Sequence, residues 1–334
     1  MSEIQNLQNE QDEATFEKLQ SGRKQIEAEL SKAIVGQRDV VEQLLLALIA
    51  GGHCLITGAP GLAKTLLVKS VAQTFQLQYQ RIQFTPDLMP ADITGTEILS
   101  DTPEGRQLKF VKGPIFTNML LADEINRTPP KTQSALLEAM QEHQVTAAGV
   151  RHKLSEPFFV LATQNPVEME GTYPLPEAQL DRFLFNVLID YLPEDDEVEV
   201  IQRTTASGGE KIEPVFDDKD ALAFQDLVRK VPVSEESIRY AVKLASSSRP
   251  SNEDAPDFVK EWVSWGAGTR AGQSLILSAK ALALWNGQAH VTIEDIKKLA
   301  PPVLRHRLLL TYRAEAEGVT IETLIQKLIE NSAS

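Results

Sequence analysis

Short apolar runs alternate with helical patterns between residues 53 and 189, and this alternation strongly limits the possible folds. Helical patterns lie between most of the runs, notably at Lys131–His143. Parallel strands need long crossover connections, which are usually helices, so this order predicts a mainly parallel sheet covered by helices on both faces. The apolar runs are His53–Thr57, Tyr79–Phe84, Met119–Asp123, Phe158–Thr163 and Phe185–Ile189.

Two segments interrupt this alternation, and the last third of the chain lacks strand patterns. Thr96–Val111 and Val145–Leu154 each surround a turn-like sequence, which predicts two hairpin insertions. Beyond Leu192-Pro193 the remaining patterns are helical, so we predict a domain boundary within residues 192–212. The predicted units are a disordered tail at residues 1–12, an α/β domain at residues 13–200 and a small all-α domain at residues 201–334.

The segment Gly58–Thr65 joins the first predicted strand to a helical pattern that begins at Lys64, which is the context of a phosphate-binding loop. Its glycines allow backbone N–H groups to turn toward an anion, and the helix N-terminus adds the positive end of its dipole. Lys64 can reach the β- and γ-phosphates of ATP, and Thr65 can offer a hydroxyl to Mg²⁺. The predicted nucleotide-binding residues here are Gly58, Ala59, Pro60, Gly61, Leu62, Ala63, Lys64, Thr65 and Leu66.

Ala63 stands where this motif usually has glycine. A methyl group is tolerated if the residue keeps a negative φ, so we expect Ala63 to lie in the first turn of the helix. The alternative interpretation of the whole segment is a turn rich in small residues that happens to precede a helix.

Two carboxylates, Asp123 and Glu124, end the apolar run Met119–Asp123. At the carboxyl end of a parallel strand beside a phosphate loop, Asp123 would help to hold Mg²⁺. Glu124 would then orient or deprotonate the attacking water. Asn165 ends another apolar run and could bind a γ-phosphate or the water. Ordinary solvated acids and an Asn-Pro turn are the alternatives.

Composition argues against several classes of function. The net charge is -14 and the chain has one cysteine, Cys54. Proteins that bind nucleic acid depend on clustered Lys and Arg, so nucleic acid is an unfavoured partner. A single cysteine allows no intramolecular disulfide, and no apolar run reaches the length of a membrane span. We therefore expect a cytoplasmic protein without membrane insertion.

Several motifs together resemble the MoxR family of AAA+ ATPases. The resemblance covers nearly the whole chain and implies a AAA+ P-loop domain followed by a small all-α lid domain. The Gly-Leu-Ala-Lys-Thr form of the phosphate loop is familiar in that family, so Ala63 supports the assignment. The other motifs are Val35-Gly36-Gln37, Gly113-Pro-Ile-Phe116, Asp123-Glu-Ile-Asn-Arg127, Ala162-Thr-Gln-Asn165-Pro and Leu175-Pro-Glu-Ala-Gln-Leu-Asp-Arg182-Phe.

This resemblance implies roles for residues outside the phosphate loop. Asn165 would be the first sensor of the γ-phosphate, and Arg182 would be the arginine finger that reaches a neighbouring subunit's nucleotide. Arg270 would be the second sensor, contributed by the lid. Val35, Gly36 and Gln37 would lie near the adenine. The alternatives without a catalytic role are a surface ion pair for Arg182 and a residue at the start of a helix for Arg270.

By the same resemblance, we expect a hexameric ring that remodels or matures client proteins. A partner with a von Willebrand factor A domain is common among MoxR relatives, often during metal-cofactor insertion. A nucleic-acid motor or regulator is one alternative, and a nucleotide-gated scaffold with little turnover is another. A magnesium-chelatase-like motor subunit is a close neighbour in the same class.

Overall fold

The computed structural model describes residues 10–102, 105–147, 149–165, 171–205 and 211–332. Most of the predicted tail, residues 1–9, and residues 206–210 within the predicted domain boundary lie outside the described residues. The strands are β1 (Cys54–Thr57), β2 (Tyr79–Gln83), β3 (Gly95–Thr102), β4 (Gly105–Lys112), β5 (Met119–Asp123), β6 (Gln144–Ala147), β7 (Val150–Lys153), β8 (Phe159–Gln164), β9 (Phe185–Leu188), β10 (Val263–Trp265) and β11 (Leu309–Leu310).

The α-helices surround the central sheet and form the C-terminal part of the chain. They are α1 (Glu10–Ser31), α2 (Arg38–Ala50), α3 (Lys64–Thr74), α4 (Pro90–Thr94), α5 (Pro130–Glu142), α6 (Glu177–Leu180), α7 (Glu194–Thr205), α8 (Asp218–Lys230), α9 (Glu235–Ser247), α10 (Asp257–Trp262), α11 (Thr269–Trp285), α12 (Ile293–Leu304), α13 (Tyr312–Ala316) and α14 (Ile321–Ser332).

The central sheet has the order β2-β5-β8-β1-β9, and every neighbouring pair is parallel. The predicted parallel sheet is therefore confirmed, with each predicted strand within one residue of its observed ends. The inner strands are buried because helices cover them, which explains their continuous apolar sequences. Since all five strands run in one direction, the loops that follow β1, β5 and β8 meet at one edge of the sheet.

Both predicted hairpin insertions are present, as the antiparallel pairs β3-β4 and β6-β7. They contact each other, because Phe110 of β4 stacks on His152 of β7 with ring centroids 4.2 Å apart. Both rings also pack edge-on against Phe116.

The C-terminal domain is predominantly helical, as predicted, with a small antiparallel pair, β10-β11, that the sequence did not indicate. Its central helix, α11, packs against α2, α9 and α12. The helix α12 begins with a capping box, in which the Thr292 hydroxyl accepts a hydrogen bond from the Asp295 N–H and the Asp295 carboxylate accepts one from the Thr292 N–H.

The N-terminal helix α1 contacts both the sheet domain and the C-terminal helices. It begins at Glu10, inside the predicted tail, and it packs against α3 and against α8 and α11. Asp12 is buried and accepts a hydrogen bond of 2.6 Å from Lys230 of α8. Within the described residues, we find no helix with the length and apolar character needed to cross a bilayer.

Candidate functional site

The phosphate loop connects β1 to α3 and lies at the carboxyl edge of the central sheet. Lys64 begins α3 and donates a hydrogen bond back across the loop to the carbonyl oxygen of Gly58. Gly58 is packed so closely that a Cβ there would lie 2.4 Å from the carbonyl oxygen of Ile189. Gly61 has φ 85°, and a Cβ there would meet nothing within 4 Å. The loop is therefore fixed on one side and open on the other, as a site for an anion requires.

The expectation for Ala63 is wrong. Its φ is 54° and its ψ is 23°, in the left-handed region, and it precedes α3 instead of lying in the first turn. The chain must turn through this conformation before the right-handed helix begins at Lys64. A Cβ in that conformation costs roughly 1–2 kcal/mol, which explains why glycine is usual at this position.

Asp123 ends β5 at the same edge of the sheet as the phosphate loop, and two side chains bind its carboxylate. The Thr163 hydroxyl donates to Oδ1 at 2.6 Å, and Arg81 donates to Oδ2 at 2.7 Å from Nη2 and at 3.1 Å from Nε. Arg81 lies on β2 and Thr163 on β8, the two strands that flank β5. The parallel register thus brings both partners to one carboxylate.

Glu124 has its own set of partners. Its backbone is left-handed, with φ 57°, and its N–H donates to the Thr163 hydroxyl at 2.8 Å. Its Oε2 accepts hydrogen bonds from Gln83 Nε2 at 2.9 Å and from Arg127 Nη1 at 3.0 Å. One hydroxyl, that of Thr163, therefore bridges Asp123 and Glu124.

Sequence reasoning assigned no role to Arg81, Gln83 or Thr163. Gln83 is the register partner of Asp123 in the β2-β5 pair, and this pairing depends on the strand order, which the sequence does not show. Thr163 ends a predicted strand, and threonine is common in strands, so its presence there indicated no function.

Lys64 lies close enough to the two acids to interact with them electrostatically. Burial lowers the pKa of Lys64, and the charges of Asp123 and Glu124 oppose this shift. The half-buried ammonium thus lies within reach of both carboxylates, which favour its charged form. Thr65 and Asp123 offer the oxygen ligands that Mg²⁺ prefers, and the open side of the loop fits the phosphates of a nucleotide.

Asn165 directly follows β8 and is buried, at the same edge of the sheet as Gly58 and Asp123. The segment Val35-Gly36-Gln37 lies elsewhere around this edge and lines a cavity of about 890 Å³ between the ends of α1, α2 and α7. At Gly36, with φ 75°, a Cβ would lie 2.3 Å from Oδ2 of Asp196, so α7 approaches this segment closely. Its volume lies within the range of small-molecule pockets, roughly 300–1,000 Å³.

Arg182 and Arg270 do not join these residues. Both line a second cavity, together with Gly52 and His53, which precede β1, whereas the phosphate loop follows it. A four-residue strand is about 13 Å long, so the two arginines lie near the amino edge of the sheet, away from Lys64. The guanidinium of Arg182 donates to the carbonyl oxygen of Leu137, and the side chain of Arg270 is 47% exposed. The acid next to Arg182 in the sequence, Asp181, pairs instead with Arg270 and Arg307. The surface ion pair considered as an alternative for Arg182 is therefore formed by other arginines.

Comparisons with known proteins agree with this architecture. Residues 53–185 match the model of the ATPase family associated with various cellular activities (AAA), and residues 257–328 match the AAA lid domain. The chain is 41% identical to Chaperone MoxR1 of Mycobacterium tuberculosis over 91% of this chain and 80% of that protein. It is 28% identical to Protein MoxR of Methylorubrum extorquens, over 85% and 86% of the two chains. A crystal structure of a putative ATPase from Cytophaga hutchinsonii superposes with a TM-score of 0.89 and 42% identity, covering 95% of this chain and 96% of that one.

A parallel five-stranded sheet, a phosphate loop after its first strand, an acidic pair after β5 and a helical lid define an AAA+ ATPase. The extent and identity of the matches narrow this class further. The chain belongs to the MoxR family of AAA+ ATPases, and its enzymatic activity is the hydrolysis of ATP.

Proposed function

We propose that this chain is a Mg²⁺-dependent ATPase that works as a ring and uses ATP hydrolysis to remodel or mature a client protein. One observation carries the proposal: the charged residues that the family resemblance assigns to one catalytic set lie at opposite edges of the same sheet. Lys64, Asp123 and Glu124 lie at the carboxyl edge, and Arg182 and Arg270 lie near the amino edge. A second copy is needed to bring the two sets together.

Each residue at the carboxyl edge has a role that its position supports. Lys64 and the backbone N–H groups of the loop would bind the phosphates, while Thr65 and Asp123 would hold Mg²⁺. When bound, Mg²⁺ would neutralise charge on the phosphates. Glu124 would accept a proton from the attacking water or orient it. Asn165 would bind the γ-phosphate, and Val35, Gly36 and Gln37 would border the adenine.

The trans role of the arginines follows from charge and placement. An arginine supplied by a neighbour stabilises charge on the transferred phosphoryl group, which is worth on the order of 10³–10⁵ in rate in GTPases. Arg182 uses one of its five N–H donors on Leu137, and Arg270 is half exposed, so both have donors left for an acceptor on a neighbour. Hydrolysis would then depend on assembly, and six subunits is the number we propose.

The client-facing part of the proposal rests on the hairpins and on family membership. The paired hairpins β3-β4 and β6-β7 carry exposed apolar side chains, including Leu99 and Leu108, which could contact a client. Chaperone MoxR1 carries the word chaperone in its name. We further propose an adaptor with a von Willebrand factor A domain and a cytoplasmic location. The net charge of -14 disfavours the nucleic-acid motor.

A mixing experiment tests the trans site. Arg182→Ala subunits should bind ATP and hydrolyse it slowly, and Glu124→Gln subunits should bind ATP without turnover. A mixture should regain activity at interfaces that join an intact Glu124 to an intact Arg182. Arg239→Ala is the matched control, because that arginine is 77% exposed on α9 and pairs only with Glu235 among the described residues. Mixed rings, verified by mass, that recover no activity at any ratio would refute action in trans.

A further inference from the structure

Arg307 is a buried arginine of the lid that hydrogen-bonds to the segment containing Arg182. It follows α12, and its side chain is 3% exposed. Its Nε donates to Oδ1 of Asp181 at 2.7 Å, and its Nη2 donates to the carbonyl oxygen of Phe183 at 2.7 Å. Its Nη1 donates to the carbonyl oxygen of Leu184 at 3.3 Å. One lid side chain therefore binds the residue before Arg182 and the two residues after it.

The same guanidinium also connects to the helix that carries Arg270. Its Nη2 donates to the Ser274 hydroxyl of α11 at 3.1 Å. The other oxygen of the Asp181 carboxylate lies 4.0 Å from Nη1 of Arg270. Asp181 thus lies between a buried arginine, Arg307, and an exposed one, Arg270, and contacts both. The residues on either side of Arg182 are therefore held by this ion pair, and Arg270 lies beside it.

This arrangement needs an explanation, since a buried charge is costly in the folded state. Burial lowers the pKa of Arg307, and the hydrogen bond and charge of Asp181 oppose this shift. Apolar residues of similar volume often stabilise a fold as well as a buried ion pair does, or better. The ion pair instead fixes an orientation, because the planar guanidinium of an arginine binds its acceptors in a defined geometry.

We propose that Arg307 and Asp181 are positioning residues, which hold Arg182 and Arg270 in the orientation that the neighbouring subunit's nucleotide requires. This inference rests on the proposed trans function of Arg182. Arg307 and Arg270 belong to the lid, whereas Asp181 and Arg182 belong to the sheet domain, so the hydrogen bonds of Arg307 couple the position of the lid to that of Arg182. The lid of one subunit therefore sets the hydrolysis rate in the next.

The test uses the full chain and the variant Asp181→Asn, which keeps the shape of the side chain and removes its charge. ATP binding should stay at the wild-type level, and kcat should fall by about tenfold or more, since a displacement of about 1 Å can cost 10²-fold in rate. Mixing with Glu124→Gln subunits should restore activity, as it should for Arg182→Ala. Glu322→Gln is the matched control, because it removes another lid ion pair, with Arg305, and should leave kcat unchanged.

The outcomes separate this inference from the proposed function. If Arg182→Ala loses turnover and Asp181→Asn keeps it, the positioning role is refuted while the trans site stands. If Asp181→Asn loses turnover without recovery on mixing, the damage lies within its own subunit, and the inference fails. If neither variant loses turnover, the trans site itself is wrong. Should Asp181→Asn not fold, Ser274→Ala decides, with a several-fold lower kcat that recovers on mixing as the supporting result and an unchanged kcat as the contrary one.

Discussion

Thr163→Val should disable the acidic pair without changing the shape of the site. The Thr163 hydroxyl bonds both Asp123 Oδ1, at 2.6 Å, and the Glu124 N–H, at 2.8 Å. Valine removes both hydrogen bonds. The bond to a carboxylate is worth about 1.5–3 kcal/mol and the one from the N–H about 1 kcal/mol. Arg81 and water partly compensate at Asp123, so we expect the free energy of unfolding to fall by about 2–3 kcal/mol.

The effect on catalysis should be larger than this loss of stability suggests. Groups that orient a metal ligand typically contribute 10–100-fold, so we expect kcat and apparent Mg²⁺ affinity to fall by roughly that factor. Thr163→Ser is the control, because it keeps the hydroxyl and deletes one buried methyl group, at a cost of about 1 kcal/mol. ATPase assays across a Mg²⁺ titration, with urea unfolding of each variant, supply both readings. Equal kcat and Mg²⁺ dependence in the valine and serine variants would refute the reasoning.

Four further predictions concern single side chains. Lys64→Ala should abolish nucleotide binding measured by calorimetry. Glu124→Gln should keep nucleotide binding, while phosphate release stops. Turnover at the wild-type rate in Glu124→Gln would contradict the role assigned to Glu124. Ala63→Gly should relieve the left-handed strain, offset by the entropy of glycine, and raise the unfolding free energy by about 0.5–1 kcal/mol in denaturant titrations; a fall would contradict the strain. Burial lowers the pKa of His53 from 6.5 to about 4. On acidification the unfolded chain therefore binds the proton at a higher pH than the folded chain does. The free energy of unfolding falls as the pH drops from 6.5 to about 4. Between pH 7 and pH 5 His53→Gln should lose about 2 kcal/mol less unfolding free energy than the wild type, and equal losses would contradict the assignment.

The sheet could be predicted because its signal is local and repeated. Continuous apolar runs such as Met119–Asp123 mark strands covered on both faces, and the helical patterns between them impose parallel pairing. The phosphate loop was recognisable for a similar reason, since strand, loop, Lys64 and helix are consecutive. The short β10-β11 pair was not predicted, because its few residues are held together by the surrounding helices and carry no periodic signal of their own.

The parts of the site that depend on tertiary contacts were out of reach. No sequence spacing indicates that Arg81 and Thr163 converge on Asp123, because that depends on strand order. The left-handed backbone of Ala63 was missed, since alanine normally disfavours it and the loop overrides that preference. The resemblance supplied Arg270 as a sensor, but only the folded chain places it beside Arg182, at the edge opposite Lys64.

The central claim is that the active site is completed between subunits, and one measurement tests it most directly. The ATPase rate per subunit should be measured against protein concentration at saturating Mg²⁺ and ATP, with mass determined in parallel at each concentration. Our account predicts a rate per subunit that rises as the ring assembles and stays near zero for the monomer. A substantial rate that is the same for monomer and ring would contradict it, because the phosphate loop and acidic pair would then suffice without Arg182 of a neighbour.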